Sequence, residues 1–150
     1  MPATTRKGAA FAALMTGLTL LSLSAPLSAQ SATRPIVMIC GLEEEGIVTG
    51  WIPEMVMITR QGNGRVEVFD PILQQLVGRP IKAFVVADSA GERSYAWALA
   101  GVRNRSGQWT ERLDFQLTVT KANARGVMTV KAQDYDNVIT GRGQCGQPQD

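Results

Sequence analysis

The run Trp109–Thr120, WTERLDFQLTVT, changes character at almost every residue. Its odd positions carry Trp109, Leu113, Phe115, Leu117 and Val119, with Glu111 the exception, while its even positions are all polar. A helix turns by about 100° per residue and would scatter both sets around its axis. Only a strand holds them on opposite faces. A strand this long, dry on one side, needs paired neighbours and an apolar layer over that side.

The rest of the chain supplies such neighbours. Residues 94–102, SYAWALAGV, place Tyr95, Trp97 and Leu99 on one face and Ala96, Ala98 and Ala100 on the other. The turn residues 103–108 then suit a hairpin into the next strand. Further strands are expected over residues 34–40, 54–60, 65–70, 81–88 and 127–132, with a short last one at 138–140 in the glycine-broken segment 136–145. Gln61-Gly62-Asn63-Gly64 has the glycine and asparagine that a tight hairpin needs. Asp70 as N-cap, Pro71 at the first helical position and Gly78 as a stop frame one short helical turn containing Ile72, Leu73, Leu76 and Val77. The fold expected is all-β: an antiparallel sandwich or small barrel of about seven strands with one short helical turn.

Residues 1–29 read as a signal peptide and residues 30–150 as a single β domain. Arg6 and Lys7 precede an apolar run from residue 11 to residue 23, and Leu27-Ser28-Ala29 forms a small-residue exit. That run is shorter than the roughly 20 residues a membrane span requires, so no membrane span is expected after processing. The compartment implied is periplasmic or secreted. Cys40 and Cys145 are the two cysteines of the chain, and in an oxidising compartment they are expected to pair, clasping the ends of the domain.

Charge and composition exclude several functions. The leader holds two of the 15 basic residues and none of the 13 acidic ones, so the processed chain is electrically balanced. Without a basic excess, nucleic-acid binding has no electrostatic drive. The chain has no histidine, which removes Ser-His-Asp and Cys-His activation and imidazole ligation of metals. Catalysis would need paired carboxylates, a lysine or a bound cofactor, and no cofactor is expected.

The candidate site residues are few. Glu43-Glu44-Glu45 is the densest charge and reads as a solvated loop. Asp134-Tyr135-Asp136-Asn137 begins like a calcium loop, but Val138 stands where the next oxygen is needed. Trp51, before Ile52-Pro53, can cap a barrel end or anchor a partner. Tyr95, Trp97 and Phe115 read as core.

The segment Asp88-Ser89-Ala90-Gly91-Glu92-Arg93-Ser94-Tyr95 resembles the loop that periplasmic inhibitors of C-type lysozyme present to the enzyme cleft. That family's loop is of type S-G-x-x-Y on a small disulfide-bonded β-barrel. Here Ala90 occupies the serine position, and the spacing from Gly91 to Tyr95 is one residue longer. The resemblance implies that Ser89 and Arg93 would contact catalytic carboxylates. Taken together, the expectation is a non-enzymatic exported β domain that binds a protein or small ligand through residues such as Trp51, Ser89 or Arg93. A cell-wall hydrolase inhibitor and a carboxylate-based enzyme are the alternatives.

Overall fold

The computed structural model describes residues 34–104 and 106–147. The expected signal peptide and its cleavage point lie outside the described residues. The strands β1 (Ile36–Glu44), β2 (Met55–Arg60), β3 (Val66–Phe69), β4 (Ile81–Asp88), β5 (Glu92–Arg103), β6 (Trp109–Thr120), β7 (Arg125–Ala132) and β8 (Val138–Gly146) run up and down in chain order, with helix α1 (Pro71–Leu76) between β3 and β4. Each strand pairs antiparallel with the next, and β8 returns to β1, so the sheet is a closed eight-stranded barrel. Among the described residues, no helix is long and apolar enough to cross a membrane.

The interior is packed. An eight-stranded barrel is just wide enough for side chains to fill it, and here Ile58, Leu113, Phe115, Leu117, Met128 and Val130 are fully buried. Trp97 stacks on Phe115, ring centroids 5.2 Å apart and planes 7° from parallel. The expected alternation in β6 holds from Leu113 to Val119, and Tyr95, Trp97 and Leu99 face inward from β5. It fails at the start of β6, where Trp109 is exposed and Thr110 is buried. The cause lies in the partner strand: Gly101 of β5 has φ of +62°, and both strands exchange faces at that level. Thr110 is accommodated because its hydroxyl donates to the Arg112 carbonyl at 2.9 Å.

The short helix forms as its residues dictate. Asp70 accepts from the Leu73 amide at 2.8 Å, Pro71 opens the first turn, and Gly78 at φ +70° closes it by donating to the Leu73 carbonyl. Leu73 is buried against the core. At the same end of the barrel, the loop after β1 turns Trp51, Ile52 and Pro53 inward as a plug.

Two strands, β1 and β8, run at least four residues further than expected. β1 continues through Glu43 and Glu44, so these carboxylates belong to a strand end rather than a solvated loop. β8 is nine residues long instead of a short piece at 138–140. Its glycines do not interrupt it; they let β1 and the plug come close. A Cβ on Gly143 would sit 1.8 Å from the Gly41 carbonyl oxygen, and one on Gly141 would sit 2.6 Å from Ile52. Cys40 and Cys145 are directly opposite in the β1–β8 ladder and form the disulfide that closes this seam.

Candidate functional site

The outer face of β4 to β8 carries a groove of about 460 Å³. Its position follows from register. Phe84, Ala96, Gln116 and Thr129 form one row across the sheet; Ala98, Asp114, Lys131 and Val138 form the next. The alanines of β5 leave a shallow floor, directly over the buried Trp97–Phe115 stack. Phe84 and Val86 rise on one side, Val138 on the other. All three are more than half exposed, so the apolar walls face water.

Among the polar groups that line the groove, Arg112 and Asp114 pair with each other. Arg112 holds Asp114 at 2.8 Å, and the Lys82 ammonium lies 4.6 Å from the Phe84 ring centroid. Neither arrangement places two carboxylates face to face, as acid–base chemistry on a substrate would need. The groove combines a small floor, apolar walls and a polar rim.

The residues singled out from sequence lie elsewhere. Trp51 is only 2% exposed and sits in the plug, where its ring is not offered to a partner. Ser89 and Arg93 flank the β4–β5 hairpin. The Ser89 hydroxyl accepts from the Gly91 and Glu92 amides at 3.3 and 3.1 Å. Both Nε and Nη2 of Arg93 donate to Asp88, at 2.9 and 2.7 Å. Lys121 also pairs with Asp88, at 2.6 Å. These two cations hold the Asp88 carboxyl down at about 2. Tyr95, the residue aligned with the tyrosine of the lysozyme-facing loop, is buried. The structure therefore brings Ser89 and Arg93 together as a braced turn and leaves Trp51 at the opposite end of the barrel.

Three carboxylates of the acidic clusters, Glu44, Glu45 and Asp134, hold local geometry. Glu44 accepts from the Thr49 and Gly50 amides at 2.7 and 3.0 Å, and Glu45 pairs with Arg142 at 2.7 Å. Asp134 accepts from the Glu111 amide at 3.0 Å and the Thr110 hydroxyl at 3.2 Å. Asn104, which sequence reasoning passed over as a turn residue, is a buried staple. Its amide nitrogen donates to the Thr49 carbonyl at 2.8 Å, tying the β5–β6 hairpin to the plug loop. Beside it lies a crevice of about 90 Å³ between α1, the plug and that hairpin.

Two signals for the groove were present in the chain: the Ala-x-Ala spacing of β5, and the unbroken apolar run Ala83-Phe84-Val85-Val86-Ala87 of β4. Val138 joins them only through the fold. Compared with known proteins, the chain matches no family model, no curated protein and no solved structure.

Proposed function

We propose that this chain is an exported, non-enzymatic binding domain that receives its partner on the outer β4–β8 face. The observation that carries the reading is the contrast between inside and outside. The interior is occupied by large side chains, whereas the groove over Ala96 and Ala98 keeps exposed apolar walls. A partner with an apolar segment and a few hydrogen-bonding groups matches that lining. Export is supported by the basic, apolar and small-residue order of the first 29 residues and by the paired cysteines. The hydrolase-inhibitor reading has less support, because the Ser89 hydroxyl and the Arg93 guanidinium are committed to their own hairpin.

The test uses an apolar fluorescent dye, anilinonaphthalene sulfonate, on the folded, oxidised protein. Dye binding is expected to be lost on Ala98→Glu, which puts a carboxylate on the groove floor, with the melting temperature unchanged. Dye binding indifferent to that substitution would remove the groove from the reading. Stoichiometric inhibition of lysozyme would replace the reading altogether.

A further inference from the structure

The groove separates its chemistry by strand. Toward β4 it is apolar, with Phe84 and Val86 as the wall and Ala96 and Ala98 of β5 as the floor. Toward β7 it is polar. Gln116 of β6 stands directly opposite Thr129 of β7, and Asp114 stands directly opposite Lys131. A strand returns to the same face at every second residue, so these four side chains form one block at that end. Arg112 neutralises Asp114 at 2.8 Å. The Lys131 ammonium, the Thr129 hydroxyl and the Gln116 carboxamide have no hydrogen-bond or ion-pair partner among the described residues. The lining therefore keeps one uncompensated positive charge, Arg112 and Lys131 against Asp114. Three strand spacings, about 14 Å, separate that charge from the apolar wall.

We infer that the groove takes a single-chain aliphatic carboxylate, with its head on Lys131, Thr129 and Gln116 and its chain across the alanines to Phe84 and Val86. The inference rests on the reading of the groove as a binding face and names the ligand class. Charge selects the head. A carboxylate meets the free ammonium in charge-assisted hydrogen bonds, whereas a cationic head meets repulsion. The floor selects the tail. Its backbone groups are used in the β5–β6 and β6–β7 ladders, so a peptide laid across it would find no main-chain partners for its own amides. An alkyl chain has no such groups to satisfy. A volume of about 460 Å³ lies in the lower part of the small-molecule range, roughly 300 to 1,000 Å³, which suits one chain rather than two. At the far wall, the Lys82 ammonium already lies 4.6 Å from the Phe84 ring centroid, which leaves Lys131 as the seat for the head.

Isothermal titration calorimetry of the folded, oxidised protein with sodium dodecanoate, below its micelle concentration, is the test. Saturable binding at one site per chain is expected, at least about tenfold tighter than octanoate because four further methylenes reach the floor and wall. Dodecyltrimethylammonium, with the same chain and a cationic head, should not saturate. Lys131→Met keeps the stem and should weaken dodecanoate by about tenfold, with the melting temperature unchanged. Lys82→Met should leave the affinity within about twofold, and Ala98→Glu should abolish binding. Equal binding of the two head groups overturns the inference, as does dodecanoate binding indifferent to Lys131→Met or to Ala98→Glu. Binding to phosphatidylglycerol vesicles without binding to free dodecanoate overturns it as well. The groove reading fails separately: if the dye is lost on Ala98→Glu while dodecanoate does not bind, the face stands and only this ligand class falls.

Discussion

The Asp70 carboxylate caps α1 from a buried position, with one oxygen bonded to the Leu73 amide and Oδ2 without a hydrogen-bond partner among the described residues. Burial pushes its pKa above the ordinary 3.8, opposed by the Leu73 and Ile72 amides. A raised value in the fold means that the folded state holds its proton more tightly than the unfolded one. Its contribution to stability is then fully present below 3.8 and fades as pH rises through the folded value. Asp88 behaves in the opposite sense. Held at about 2 by Arg93 and Lys121, it favours the fold above 3.8, and that contribution is lost as pH falls toward 2. Melting temperatures between pH 2 and 7 should therefore show a smaller acid-side drop for Asp88→Asn than for the parent. Asp70→Asn keeps an oxygen for the cap and should be near neutral, whereas Asp70→Ala should cost about 1 kcal/mol or more. In β6, Phe115→Ala should cost roughly 3 to 5 kcal/mol, because it empties the stack against Trp97. Gln116→Ala, one residue along and facing water, should stay within about 0.5 kcal/mol by denaturant titration.

At the scale of elements, the seam between β1 and β8 is governed by glycine. Gly143 cannot take a Cβ without striking the Gly41 backbone, while a Cβ on Gly41 meets nothing within 4 Å. Gly143→Ala should therefore destabilise by about 3 kcal/mol or more, and Gly41→Ala by no more than about 0.5 kcal/mol. Unfolding curves of the two variants decide this directly. The same seam explains what could be read from the chain. β5, β6 and α1 were legible because their signals are local: alternation across Tyr95–Trp97–Leu99 and Leu113–Phe115–Leu117, and the Asp70–Pro71 start. β8 was legible only in part, because its glycines answer to a neighbour more than 90 residues away in sequence. Trp109 and Thr110 were misassigned for a related reason, since their faces are set by Gly101 in the paired strand. The groove was half visible in Ala96 and Ala98, but its walls come from β4 and β8, and no local pattern joins those strands. Trp51 reads from the sequence as a cap or an anchor, and only the plug geometry places it inside.

For the whole molecule, the disulfide is the largest single constraint. It spans 105 residues, and in the chain-entropy model such a closure restricts the unfolded state by roughly 4 to 5 kcal/mol. Reduction should lower the melting temperature by many degrees, and thiol titration of the denatured, unreduced protein should find no free cysteine. If the proposed export and processing occur, the intact mass of the mature protein corresponds to a chain beginning at Gln30. Because Cys40 and Cys145 face each other across the closing ladder, the bond also decides how the molecule carries load. Pulled by its ends in an optical trap, the oxidised barrel can pay out only the short tails outside the two cysteines, and the force runs through sulfur rather than through the sheet. Once reduced, the same pull tears the seam, and the 105-residue loop adds up to about 350 Å of contour. The redox state of one bond thus determines whether this protein is an inextensible link or a long tether.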